Sequence, residues 1–280
     1  MANSNDFDPY EFYEPDEEAL EGLYAVDNYF YEAQNDLAAL FTANPKKVYY
    51  LRQLQVRLEK KYFHWITNNA AVGLLRLGRL KEERVVSARG GMFTRFLTHP
   101  SNRYTKREIK RTQDIIEEYS RPEVTISCGI RAENLFCAGL AEKGFMPRDK
   151  KVRSFQGKTW EKSGHDLDYL FERDGIHYGC EIKNTLTYID KEEFVTKMEM
   201  CEFLGIKPLF IMRYTPKTYM WEIYKKGGYG MLFEYQIYDL SQKELVEKIR
   251  ETLGMPVDCP RAIPEGMLER FKTWHLEKAV

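Results

Sequence analysis

The sequence predicts an α/β (α+β) chain: a central mixed sheet flanked by helices, preceded by a smaller domain of helices and one β-hairpin. Three observations predict it. Two alternating runs flank Arg173-Asp174-Gly175-Ile176, and Asp-Gly is the strongest two-residue hairpin signal. A helical segment and a continuous apolar strand, KPLFIMR, follow that hairpin. Between residues 46 and 100, two short helical patterns lead into a second pair of alternating runs. With 280 residues, two domains are the better expectation. The expected divisions are an acidic arm and helix over 1–45, a first domain over 46–121 and a second over 122–280.

Charge is distributed unevenly. Residues 1–45 hold eleven acids and no Lys or Arg, residues 46–153 hold 24 basic against 11 acidic residues, and residues 154–280 hold 18 against 21. A basic middle third is the footprint of a surface that meets phosphates, because neutralising them releases counterions; a solvated helix surface is the alternative. No apolar run is long enough to span a membrane and the N-terminus lacks the order of a secretory signal, so a cytoplasmic protein is expected, nuclear in a eukaryotic cell. Five cysteines without a C-x-x-C pair suggest reduced thiols rather than a disulfide framework.

In chain order, residues 1–21 interleave acids with Phe, Tyr and Pro and read as a mobile arm, one that could cover a basic surface. Helical spacing from Glu21 to Phe41 ends at Asn44-Pro45. Val48–Tyr50 is extended, helices are expected near Arg52–Lys60 and His64–Leu77, and the runs Leu80–Val86 and Phe93–Leu97 flank Gly90-Gly91 as a hairpin. This order resembles a winged helix-turn-helix over about fifty residues. The resemblance implies a major-groove helix carrying Thr67, Asn68, Asn69 and Arg76, with Arg84, Arg89 and Arg95 near the wing. Residues 104–120 form an amphipathic helix with Lys106, Arg107, Lys110 and Arg111 exposed, closed by Arg121-Pro122.

The sharpest pattern lies further on, in SGHDLDYLFERDGIHYGCEIKNTL. A turn at Asp174-Gly175 pairs Tyr169 with Cys180 and Phe171 with Tyr178. Leu167, Tyr169 and Phe171 then share an apolar face with Ile176, Tyr178, Cys180 and Ile182. On the opposite face Asp168 stands across from Glu181, and Asp166 across from Lys183. Directly opposed residues have Cβ atoms about 4.5–5.5 Å apart, and two carboxylates so placed repel unless a cation or proton lies between them. Mg²⁺ suits one or two carboxylates plus waters and a phosphate. The alternative is an exposed acidic edge in which Lys183 neutralises Asp166. His165 and His177 flank the site in sequence, but the register sets His177 across from Glu172, away from the acids, and neither is expected as a general base.

These residues resemble the PD-(D/E)xK nuclease superfamily, whose fold is the restriction-endonuclease-like one. Asp168 and Glu181-Ile182-Lys183 match its Asp, then Glu-x-Lys, on successive strands. Four acid-x-Lys triplets occur, at Glu59, Glu108, Asp149 and Glu181, but only the last lies on an expected strand with an upstream acid in register. The helix AENLFCAGLAEKGF puts Glu133 on an apolar stripe, where the superfamily carries an acid near its metal; an N-terminal dipole or capping role is the alternative. Tyr188–Leu204 is expected as a helix capped by Gly205. The resemblance covers about residues 131–214. No Pro precedes Asp168, and the choice between Asp166 and Asp168 rests on which acid opposes Glu181.

The resemblance implies a Mg²⁺-dependent DNA endonuclease, with Mn²⁺ as a substitute, that leaves a 5′-phosphate. Asp168, Glu181, Glu133 and the backbone carbonyl of Ile182 would be metal ligands, with Lys183 on the phosphate or water and Asp166 as an accessory acid. Restriction, repair and junction substrates fit equally. An RNA-cleaving nuclease and a non-catalytic DNA-binding regulator are the alternatives, and a homodimer would supply two sites for two strands. Further along, Tyr229–Tyr238 suggests a strand, Ser241–Leu253 and Ile263–Lys278 suggest helices, and Trp274 and His275 read as packing and surface residues.

Overall fold

The structure, a computed structural model, describes residues 28–87 and 93–279. The acidic arm over 1–21, Arg89 and the Gly90-Gly91 turn lie outside the described residues. The chain divides into two compact units, one holding the residues up to Arg121 together with Glu247–Met255, the other Pro122–Val246 with Pro256–Val280. No described helix is long and apolar enough to cross a membrane.

The first unit runs α1 (Asn28–Ala43), β1 (Val48–Tyr50), α2 (Leu51–Leu58), α3 (His64–Arg76), β2 (Lys81–Val86), β3 (Phe93–Thr98) and α4 (Lys106–Tyr119). Its strands form an antiparallel sheet in the order β1-β3-β2. Ala33, Leu37 and Phe41 recur every fourth residue on α1 and are buried with Leu54, Ala70, Leu74 and Leu97. The helix before Pro45 is therefore part of this unit's core, whereas the sequence reading set it apart with the arm.

The second unit runs α5 (Pro122–Glu142), β4 (Met146–Val152), a short hairpin β5 (Ser154–Phe155) and β6 (Lys158–Thr159), β7 (Leu167–Arg173) and β8 (Ile176–Lys183). Next come α6 (Lys191–Leu204), β9 (Lys207–Met212), α7 (Lys217–Lys225), β10 (Tyr229–Leu232), β11 (Gln236–Ile237), α8 (Lys243–Leu253), which from Glu247 onward belongs to the first unit, β12 (Val257–Asp258) and α9 (Glu265–Trp274). Five strands make one mixed sheet, β10-β9-β8-β7-β4. β4, β7 and β8 are antiparallel, and β8, β9 and β10 are parallel. The expected strand over 229–238 is in fact two: β10 joins this sheet and β11 pairs with β12.

Helices cover both faces, which is why β9 is apolar throughout rather than alternating. On one side Phe136 and Leu140 of α5 and Phe271 of α9 pack on Tyr169, Phe171, Tyr178, Cys180 and Leu209. On the other, Cys201 and Leu204 of α6 meet Leu167 and Leu170, while Phe194 meets Phe210 and Met212. Gly179 lets α6 approach closely, since a Cβ there would come within 3.0 Å of Leu167 Cδ1, Ile206 Cδ1 and Cys201 Sγ. Gly179→Val is expected to lower stability by about 1–3 kcal/mol through overpacking, read as a fall in Tm; an unchanged Tm would show that α6 does not press on β8.

The hairpin forms in the expected register, with Asp174 at φ 52° and Gly175 at φ 75°, the left-handed pair of a type I′ turn. His275 is fully buried rather than a surface residue: its Nδ1 lies 2.7 Å from the Tyr178 hydroxyl and its Nε2 3.0 Å from Asp174 Oδ2. It ties the end of the chain to the hairpin turn.

Candidate active site

Pairing between β7 and β8 runs from Arg173↔Ile176 to Tyr169↔Cys180 and stops there. In an antiparallel ladder, hydrogen-bonded and non-hydrogen-bonded pairs alternate. The turn-closing pair Arg173–Ile176 sets Tyr169–Cys180 as hydrogen-bonded, the Asp168–Glu181 position as a close non-bonded pair, and Leu167–Ile182 as the next bonded one. That next pair is not made. The Ile182 N–H donates instead to Asp168 Oδ2 at 2.7 Å. Leu167, released from the ladder, packs with Val152, Trp160 and Leu170, on the face opposite the one expected for it. The expected opposition of Asp166 and Lys183 is lost for the same reason, because Asp166 lies before the strand begins.

Asp168 and Glu181 are brought together at the open end of the ladder, on the face covered by α6. Burial first, then the Glu181 carboxylate, push the Asp168 carboxyl well above its ordinary range; the Ile182 N–H and the Lys197 ammonium only partly oppose this. Glu181 is itself buried, and burial raises its carboxyl despite the same ammonium. Lys197 Nζ lies 2.6 Å from Glu181 Oε2 and also donates to the main-chain carbonyl of Asp166. Burial disfavours the charge on Lys197, yet Glu181 and Asp168 outweigh it and hold the amine above its ordinary value.

Lys183 points its amine to Glu193 of α6, with Nζ 2.9 Å from Oε2, and not to Asp166. The N-terminus of α6 is set by Asp190, whose Oδ1 accepts from the N–H of Glu192 at 2.7 Å, and its C-terminus by Gly205 in the left-handed region. These caps fix where Glu193 and Lys197, one turn apart, meet the sheet. Neither residue was singled out from the sequence. The available signal was a lysine on a buried stripe, since Phe194, Lys197, Cys201 and Leu204 share one side of α6.

No protein-family model, curated protein or solved structure matches the chain.

Glu133 is held away from the pair. Its carboxylate lies 2.9 Å from Lys150 Nζ of β4, an amine that also sits 5.0 Å from the centroid of Tyr169, and its charge adds only a small further rise to Asp168. Among the described residues no three His, Cys, Asp or Glu side chains form a ready-made metal cage. The donor set that does assemble is two carboxylates beside the main chain of Ile182. It fits Mg²⁺, which takes one or two carboxylates and keeps several waters, and it does not fit a thiolate or imidazole metal. His165 bonds Ser163, and His177 pairs with Glu172 on the ladder, away from the acids as expected.

The nucleic-acid residues expected in the first unit are corrected by burial. Thr67, Asn68 and Asn69 are interior, and α3 packs against α1, a packing partner the helix-turn-helix reading left out. Arg95 is also interior: it bonds Asn68 Oδ1 at 2.9 Å and pairs with Glu82 across the β2–β3 hairpin. All four are buried in the folded unit. Arg76 and Arg84 are exposed, and Arg84 lies 4.9 Å over the Phe93 ring.

Proposed function

We propose that the second unit is a Mg²⁺-dependent phosphodiesterase that cleaves nucleic acid, with DNA as the first substrate to test. The observation that carries this reading is the enclosed Asp168–Glu181 pair at a deliberately opened ladder end, flanked by Lys183 and Lys197. Two neighbouring carboxyls pushed upward, Asp168 by burial and Glu181 and Glu181 by burial and Glu193, are a functional-site signature. The element order supports it as well: helix α5, three antiparallel strands, helix α6 and a parallel strand resembles the core of the PD-(D/E)xK superfamily. The intact Asp, Glu and Lys set favours a catalyst over a regulator that kept the fold.

In this reading Asp168 and Glu181 hold the metal, with the Ile182 carbonyl as a third oxygen, since an extended residue presents its N–H and carbonyl to the same neighbour. Bound there, Mg²⁺ would lower the pKa of a water and polarise the scissile phosphate. Lys183 places a positive charge against the phosphate oxygens, and Glu193 fixes where that amine stands. Lys197 keeps Glu181 ionised and α6 seated on the sheet. Glu133 and Asp166 touch neither carboxylate and have no direct part.

The test is cleavage of supercoiled plasmid, branched DNA and single-stranded RNA by the purified chain with Mg²⁺, Mn²⁺ or EDTA. Metal-dependent cutting of DNA supports the proposal, cutting of RNA alone reassigns the substrate, and DNA binding without cutting of any substrate replaces it with a regulatory role. A second expectation concerns stability. A carboxyl whose pKa is raised on folding favours the native state at low pH, and that contribution is lost as pH rises through the raised value. A cation between the acids removes the penalty, so the rise in Tm caused by Mg²⁺ should grow as pH rises through the raised value. A Tm response to Mg²⁺ that is flat with pH would contradict the assignment of the pair.

A further inference from the structure

With α3 covered, the first unit needs another surface if it meets the substrate. We propose that the groove between α4 and residues 247–255 grips the phosphate backbone of duplex nucleic acid, an inference that rests on nucleic acid being the substrate. The groove encloses about 400 Å³ and is lined by Arg107, Lys110 and Arg111 of α4 and by Lys248 from the other side. Arg107 and Arg111 stand one turn apart, about 6 Å along the helix. Arg111 Nη2 donates to Thr252 Oγ1 at 3.2 Å, which orients its guanidinium across the groove. Guanidinium forks match phosphate oxygens in pairs, so two of them in line suit successive phosphates.

Two acids share the groove without cancelling it. Asp114 pairs with Lys110 at 3.0 Å and Glu118 with Lys248 at 3.3 Å. The first pair is open to water, with Lys110 77% and Asp114 63% exposed. Such exposed pairs contribute little, and a polyanion can take the lysines from them. The positive surface continues beyond the groove, where Arg103 and Lys106 are exposed at the start of the helix. An open groove with charges on its rim fits an extended polyanion better than one small anion, which would find no enclosed donors. Contacts to phosphates carry no sequence information directly, so a grip on the backbone here would be independent of sequence.

The test uses the full chain in EDTA and a fluorescent 20-base-pair duplex of random sequence, followed by polarisation across a salt series. Arg107→Glu combined with Lys106→Glu is expected to weaken binding at least tenfold at low salt and to flatten the dependence of log K on log salt. Arg107→Gln, which adds no repulsion, should lose less in the same direction, and circular dichroism checks the fold of both. Wild-type affinity and slope in both folded variants would overturn the groove. If those variants bind normally while the parent still cuts nucleic acid, the groove fails and the phosphodiesterase stands. If the parent binds DNA and loses it in the variants but cuts nothing, the groove stands and the phosphodiesterase fails. Polyglutamate that competes as well as DNA would assign the groove to acidic proteins and overturn the proposal.

Discussion

Asp168→Asn is expected to abolish metal-dependent cleavage, by about 10³-fold or more, in a protein that remains folded. A metal ligand supplies several kcal/mol of charge stabilisation in the transition state, and each 1.36 kcal/mol is tenfold in rate. The folded structure should tolerate Asn because its amide oxygen can still accept the Ile182 N–H, the one hydrogen bond that fixes Asp168 Oδ2. Removing a carboxyl held far above its usual range by burial and Glu181 also relieves repulsion, so Tm should rise or hold at neutral pH. Loss of activity with an unchanged or higher Tm is a pattern that a merely structural acid does not give. Substantial cleavage by the purified variant would remove Asp168 from the site.

Lys197→Met should have the largest effect on stability. Among the described residues the ammonium is the one cation bonded to Glu181, and both side chains are about 94% buried. Breaking such a pair from one side leaves an uncompensated buried charge and costs about 3–5 kcal/mol. For a protein of this size each kcal/mol moves Tm by roughly 2–4 °C, so a fall on the order of 10 °C is expected. Without Lys197 the Glu181 carboxyl rises further and can take a proton. An acid raised on folding stabilises the native state at low pH, so the deficit should narrow as pH falls towards 5. The double variant Lys197→Met with Glu181→Gln should recover part of the loss, because no charge is then stranded. A single variant as stable as the parent at neutral pH, or a double variant worse than the sum of its parts, would show that the pair does not hold α6 to the sheet.

How legible this arrangement was in the sequence depends on how local the determining contacts are. The hairpin was legible because Asp174-Gly175 fixes the turn and a two-residue loop fixes the register of everything paired behind it. That register placed Asp168 beside Glu181. The point where pairing ends was not legible, since it is set by Asp168 taking the Ile182 N–H and by Leu167 turning toward Gly179 and Cys201, contacts that alternation alone does not encode. Glu133 sat on an apolar stripe as expected, but its partner Lys150 lies on a different strand and the ion pair is tertiary. The C-terminal end of α6 was legible from Gly205, but its start was not: the helix expected from Tyr188 begins at Lys191, where Asp190 caps it. The identity of Lys197 as a site residue was not legible, because its place on the stripe with Phe194, Cys201 and Leu204 marks it as buried, whereas only packing α6 on β8 brings it to Glu181. The reading of α3 failed for a related reason: Thr67, Asn68 and Asn69 are buried in a unit where α3 packs with α1, and a short helical pattern does not say which of its sides a neighbour will cover.

The most direct test of the metal centre is anomalous scattering from crystals soaked in Mn²⁺. A peak bridging the carboxylates of Asp168 and Glu181, about 2.1 Å from their oxygens, with the Lys197 amine drawn back from Glu181, is the predicted result. Saturating Mn²⁺ that leaves the Lys197–Glu181 pair closed, with no density between the two acids, would contradict it.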